Sequence, residues 1–374
     1  MRTCLVLVRQ ITKDWLLWVL MTVSIIINSV LVLLNPGSVR MCQTANKLVE
    51  YYGIQISSES ISRIEQDLQS IINEACDAYQ KRYGEATHDV LDLYHAGCFE
   101  SDEEYERVIL LQRMQAYAQT AFDNNSQFKF FSVSELSGTR DLLYKKILPI
   151  ACTELIIIAA YVMLRNLETS AVTNTASLEY SSMPGRRIDM LKIVASCSVI
   201  ALTWFLFHAC MIGLFDLIYP GSISRSTSLL MVISKLSPTI NISESGYLLC
   251  WLGVEFLVVL IYAILAAAAG LAFRNSLIGL LIIVACSCGS LGLQMIPFGN
   301  NTYGDNFAQW NPVGLFVRFK DGAITLQSEK WFLAGDPDYA LFGDELMIIA
   351  TWLVFSIITL ALAWQFFKRR ELTM

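Results

Sequence analysis

Residues 247–273 read YLLCWLGVEFLVVLIYAILAAAAGLAF, with Glu255 as the one charged side chain. At a rise of about 1.5 Å per residue this run exceeds the roughly 30 Å hydrocarbon core of a bilayer. It is apolar on every face, unlike a helix at the surface of a soluble domain. Five further runs meet the same test: Trp15–Leu34, Ile147–Leu164, Ile193–Phe215, Leu277–Pro297 and Leu346–Phe367. A segment surrounded by lipid has to satisfy its own backbone, so each is expected to be helical. The expected fold class is an all-α polytopic membrane protein with six transmembrane helices and a helical extracellular domain. Composition agrees: of 374 residues 55% are hydrophobic and 16% charged, where soluble domains carry about 25% charged residues. Mean hydropathy is +0.49.

Arg2, Arg9 and Lys13 precede the first span, which is too long for a signal peptide and is followed by no small-x-small cleavage pattern; it is read as retained. With the N-terminus inside, eleven Lys and Arg fall in short cytoplasmic segments and five in the two shorter outer loops. The positive-inside rule therefore puts both termini in the cytoplasm. The organisation read from these boundaries is 1–34 for an amphipathic segment and the first span, and 35–145 for an outer domain. Spans two to five occupy 146–297 with a cytoplasmic loop at 165–192, a second outer loop covers 298–345, and the last span with a basic tail covers 346–374.

The 35–145 insertion has helical periodicity. Ile61, Ile64, Leu68, Ile71, Ile72, Ala75 and Tyr79 recur on one face and stop near Gly84, and Ser101-x-x-Glu104 has the form of a capping box opening a second helix with Tyr105, Val108, Leu111, Met114 and Ala118 on one face. Its ten basic and 17 acidic residues make an ordinary solvated surface. Cys42, Cys76 and Cys98 lie outside, where Cys76 can pair with Cys98, Cys42 with either, or all three stay thiols. The 298–345 loop, with Trp310, Phe316, Phe319, Trp331 and Phe332, is expected to lie against the membrane surface as an aromatic anchor.

Several chemistries are excluded. A net charge of −6 gives no basic face for nucleic acid. No G-x-x-x-x-G-K-[ST] loop is present, so the chain has no such site for ATP of its own. It also lacks H-E-x-x-H, C-x-x-C and G-x-S-x-G, and with only His88, His95 and His208 it offers neither a metal site nor a catalytic constellation. Cys286-x-Cys288 lies within an apolar span, where small residues serve helix packing.

The cytoplasmic loop Arg165–Lys192 reads RNLETSAVTNTASLEYSSMPGRRIDMLK, too long for a tight turn and broken by Pro184-Gly185 before a basic pair. A loop that merely fixes topology would account for Arg186 and Arg187. The pattern made by Glu168, Thr173, Ser177, Leu178, Tyr180, Ser181, Ser182, Gly185, Arg186, Arg187, Ile188 and Lys192 resembles the first inner loop of ABC-2 type exporter permeases of bacteria. The resemblance extends to the amphipathic start, six spans, both ends inside, an enlarged outer segment after span five containing Asn311-Pro312, and the basic tail Lys368-Arg369-Arg370. It departs from shorter members of that family in its large first outer domain, as a subset of the family does.

That resemblance implies a permease subunit in a bacterial plasma membrane, paired with a second permease, identical or not, and with two cytoplasmic ATPases that use ATP and Mg while this chain binds no cofactor. Contact with the ATPase would be made by Glu168, Thr173, Thr175, Ser177, Glu179, Tyr180, Gly185, Arg186 and Arg187, with a Thr175–Met183 helix as lever. The exported substrate would be an amphipathic peptide such as a bacteriocin, or a lipid. Independently of any family, a transport-like helix set without a nucleotide site must receive work from a partner, and this loop is the largest inner surface.

Ionisable groups within spans are functional candidates by default. Asn28, Glu154, His208 and Glu255 each lie six to eight residues from the outer end of their spans, roughly 9–12 Å deep at about 1.5 Å per residue, in one layer. They either satisfy one another, as in a buried Glu255–His208 pair, or line a translocation path. Two other classes compete with the exporter: a sensor or immunity protein whose outer domain binds a ligand without transport, and a channel working alone.

Overall fold

The computed structural model describes residues 2–123, 131–172, 187–222, 244–273, 275–295, 310–316, 318–320, 323–325 and 343–370. The described residues are overwhelmingly helical, with one two-stranded antiparallel ribbon, β1 Arg318–Lys320 with β2 Ala323–Thr325, in which Phe319 pairs with Ile324. Among the described residues five helices are long and apolar enough to cross a membrane: Trp15–Leu33, Thr139–Glu168, Arg187–Ile218, Ser245–Phe273 and Glu345–Arg369. At the expected span Leu277–Pro297 a helix runs Ser276–Met295. Within it Ser276–Ser287 is a shorter apolar stretch, so five of the six expected spans are seen among the described residues.

The chain forms two compact units, 1–32 with 144–214 and 249–374, and 33–143 with 215–248. In the first, α1 (Arg2–Ile11) leads through a short elbow into α2 (Trp15–Leu33). The elbow is fixed because Asp14 Oδ1 accepts from the backbone N–H of Leu16 at 3.1 Å and Trp18 Nε1 donates to the Thr12 carbonyl at 2.7 Å.

In the second unit, α3 (Pro36–Tyr52) places Pro36 in the first helical turn, where its missing N–H costs nothing. α4 (Ser58–Tyr83) begins at a reciprocal Ser57–Ser60 capping box and ends at Gly84, whose φ of +75° suits glycine. Then come α5 (Val90–His95) and α6 (Asp102–Asp123). α4 and α6 pack together, burying Ile64, Leu68 and Ala75 of one with Val108, Leu111, Met114 and Ala118 of the other. Short helices α7 (Val133–Ser137) and α8 (Thr139–Leu142) follow.

The unit also takes in 215–222. Asn46 Nδ2 donates to the Pro220 carbonyl at 2.6 Å, and the Ser222 hydroxyl lies 3.0 Å from Thr139 Oγ1 and 3.5 Å from Cys42 Sγ. Gly221, at φ +78°, allows this approach, since a Cβ there would stand 2.8 Å from Asn46 Oδ1. Cys42, Cys76 and Cys98 are all free thiols. Burial raises the Cys42 thiol above its usual range and outweighs the Ser222 hydrogen bond.

The first unit resumes at Tyr144 within a π-helical turn, Leu143–Ile147, leading into α9 (Leu148–Val172). α10 (Arg187–Ile218), α11 (Glu244–Phe273), α12 (Ser276–Met295) and α13 (Gly343–Arg370) complete the long helices. α9 packs on α12 at Gly279, where a Cβ would fall 2.5 Å from Leu164 Cδ2. Small residues at such crossings let helix backbones approach where lipid supplies no hydrophobic drive.

Candidate functional site

The ends of α9 and α10 flank the 173–186 segment and are tied to each other. Asn166 Nδ2 donates to the Lys192 carbonyl at 3.0 Å and to Ser196 Oγ at 2.9 Å, and all three residues are buried. On α10 the Lys192 ammonium lies 3.9 Å from Asp189 one turn earlier, both almost fully enclosed. A buried cation without a nearby carboxylate would be costly, so this pair belongs to the packing of the base. Of the residues expected to meet an ATPase, Glu168 lies on the last turns of α9, half-buried, and Arg187 is exposed at the first position of α10. Thr173, Thr175, Ser177, Glu179, Tyr180, Gly185 and Arg186, with the Thr175–Met183 lever, lie outside the described residues.

The four-residue polar layer resolves into two pairs on different helices. Glu154 on α9 accepts from Asn28 Nδ2 at 2.6 Å and from the Ser24 hydroxyl, both on α2, and Asn28 Nδ2 also donates to the Ser24 carbonyl at 3.0 Å. Asn28 is fully buried and Glu154 half-buried. On α10 and α11, His208 Nε2 lies 2.9 Å from Glu255 Oε2, with both side chains enclosed. His208 Nδ1 sits 3.0 Å from the Trp204 carbonyl, which only accepts, so Nδ1 carries a hydrogen. Nε2 and the carboxylate thus face each other at ion-pair distance.

Among the described residues no hydrogen bond joins the Glu154 cluster to the His208–Glu255 pair. Cys152, within Coulombic range of Glu255, is two positions before Glu154, hence about 200° round α9. Glu255 has no exposed surface, and neither its Oε1 nor Trp204 Nε1 has a hydrogen-bond partner among the described residues. In each pair the polar groups address one another across two packed helices.

A third arrangement differs from the sequence expectation over Asn311–Phe316, while Trp310 is exposed. The 298–345 loop was expected to lie on the membrane surface, yet Asn311, Pro312, Val313, Leu315 and Phe316 are buried. A 3-10 turn, Pro312–Leu315, is capped by Asn311, whose Oδ1 accepts from the Val313 N–H and from the Tyr262 hydroxyl, each at 2.9 Å. Asn311 Nδ2 donates to the Cys286 carbonyl at 2.8 Å. Phe316 packs on Trp251 with ring centroids 4.7 Å apart, and Trp352 Nε1 donates to the Trp310 carbonyl at 2.5 Å. The segment is thus bonded to α11, α12 and α13. Its signal in the sequence was Asn-Pro, the pairing of a side-chain cap with a residue preset for a first turn. Trp331 and Phe332 lie outside the described residues.

Compared with known proteins, the chain matches no family model, no curated protein and no solved structure.

Proposed function

We propose that this chain is the permease subunit of an ATP-driven exporter in a bacterial plasma membrane, with six transmembrane helices, an outer helical domain and a cytoplasmic loop that receives work from a separate ATPase. The observation that carries the reading is the buried segment Asn311–Phe316, a single 3-10 turn outside any long helix, hydrogen-bonded to Tyr262 far along one apolar helix and to Cys286 within another. Irregular backbone at membrane depth is tolerated only inside protein or beside a water-filled cavity, so it marks proteins that carry something across rather than anchors. The loop pattern from Glu168 to Lys192, the lack of a phosphate-binding loop and the stapled base at Asn166 support an external motor acting at this point.

In this reading two permease chains, identical or not, face each other, and two ATPases close beneath them on ATP and Mg. A force on the loop is delivered to α9 and α10 together because their ends are joined. The low charge of the helix set favours an amphipathic peptide or a lipid as substrate. The test is reconstitution in vesicles with and without a nucleotide-hydrolysing protein that co-purifies with the chain. Export and membrane-stimulated hydrolysis are expected only when both are present, and Glu168→Ala is expected to reduce the stimulation. Full transport by the isolated chain would overturn the reading.

A further inference from the structure

A cavity of about 170 Å³ opens between the α1–α2 elbow and the end of α9, bordered by Gln10, Asp14 and Leu17 on one side and Tyr161, Arg165 and Asn166 on the other. We propose that it holds the phosphate of a membrane phospholipid headgroup, an inference that rests on α2 and α9 spanning a bilayer as read above. Tyr161 and Arg165 stand one helical turn apart and both address Asp14. The Tyr161 hydroxyl donates to Asp14 Oδ2 at 2.8 Å, and Arg165 Nε lies 4.0 Å from the same oxygen. Asp14 Oδ1 is occupied by the Leu16 N–H, so the carboxylate is spent on the walls of the cavity. Arg9 and Lys13 are exposed on the same elbow. With Arg165 they leave the surroundings positive in spite of Asp14.

Volume and surroundings narrow the ligand. Sites for whole small molecules run to about 300–1,000 Å³, so this cavity takes a group of phosphate size and not a nucleotide. Arg165 is half-exposed, and a planar guanidinium pairs with phosphate through two parallel hydrogen bonds. Leu5, Val6 and Trp15 are 62%, 63% and 71% exposed within a few residues of the basic ones. Apolar, aromatic and basic side chains mixed along one short helix and elbow are what a headgroup layer accommodates. The elbow itself is held by Trp18, so the cavity is formed before the ligand arrives.

The test uses the full chain extracted from membranes in mild detergent. Native mass spectrometry and a phosphorus assay count the lipid retained per chain, and thermal unfolding is followed with phosphatidylglycerol or inorganic phosphate added to delipidated protein. Arg165→Gln is expected to lower retained phospholipid about tenfold, as loss of a charge-assisted contact implies. Lys47→Gln, which removes a charge elsewhere, should leave retention unchanged. Arg165→Lys keeps the charge but not the fork and decides the matter if the glutamine variant does not fold; retention should fall by a smaller factor. Wild-type retention in Arg165→Gln, or in Arg165→Lys where only that variant folds, overturns the proposal. Stabilisation by inorganic phosphate equal to that by phosphatidylglycerol keeps phosphate as the ligand but overturns the lipid as its source. Recovery of the chain outside the membrane fraction would instead defeat the membrane-spanning reading on which this rests.

Discussion

Asn166 and Lys192 join the ends of α9 and α10: the amide of one donates to the backbone carbonyl of the other at 3.0 Å, across 26 residues of sequence. With Ser196 as second acceptor, a single side chain fixes the end of α9 against the start of α10.

Asn166→Leu keeps the approximate volume and removes both donors, at a local cost of about 1 kcal/mol per neutral hydrogen bond. In the exporter proposed above the chain should still assemble with the ATPase, but the two helix ends would no longer move as one. Membrane-stimulated ATP hydrolysis is expected to fall several-fold while co-purification of the partner persists. Unchanged stimulation would mean that force does not pass through this base.

The buried His208–Glu255 pair predicts a non-additive cycle. Removing either partner strands the other in the bundle, at about 3–5 kcal/mol, whereas replacing both by apolar residues of similar size is close to neutral. Thermal unfolding of Glu255→Leu, His208→Leu and the double variant measures the coupling. A double variant as damaged as the sum of the singles would show that the pair is not a clamp. Should Glu255→Gln assemble normally but export less, Glu255 would belong to the path instead.

Tyr52 in the second unit donates its hydroxyl to Asp67, and burial first, then this carboxylate, raises its ionisation well above the ordinary tyrosine range. A group whose folded-state value is raised contributes stability that is complete below its unfolded value, about 10, and drains away as pH climbs towards the folded value. The second unit should therefore lose stability above about pH 10, and Tyr52→Phe, somewhat less stable at neutral pH, should show a shallower alkaline loss. Parallel alkaline curves for the two proteins would sink this assignment.

The long apolar helices were legible because lipid imposes length and internal backbone pairing at once, so composition alone marks them. In the second unit periodicity located α4 and α6, and Ser101 indeed caps Glu104 at 3.2 Å. The other half of that box differs, since the Glu104 carboxylate reaches the N–H of Glu100 at 2.7 Å. The Ser57–Ser60 box was illegible because serine replaces the glutamate or glutamine of the usual pattern. His208 and Glu255 could be matched by depth, but depth does not say which way round a helix a side chain faces. That is why Glu154, at equal depth, turns out to bond Asn28 and Ser24 instead. Asn166 resembled any polar residue at a loop margin; its burial depends on residues 26 and 30 positions away.

Asn311 is the strictest test of the buried segment. Its partners, Tyr262 and Cys286, lie 49 and 25 residues away, so no local pattern requires them and only the fold supplies them. Asn311→Ala removes the cap on Val313, the donor to the Cys286 carbonyl and the acceptor of the Tyr262 hydroxyl, leaving buried polar groups that cost about 1–3 kcal/mol each. That is enough to unseat a short 3-10 turn without unfolding the long helices, which are stabilised along their whole length. Amide exchange at Gly314 and Phe316, protected by the carbonyls of Asn311 and Val313, should quicken at least tenfold. Exchange in α4 and α6 should stay as it was. If Gly314 and Phe316 exchange at wild-type rates in the alanine variant, the Asn311 side chain is not what seats the segment; if α4 and α6 quicken with them, the substitution has loosened the protein generally and has not released one element.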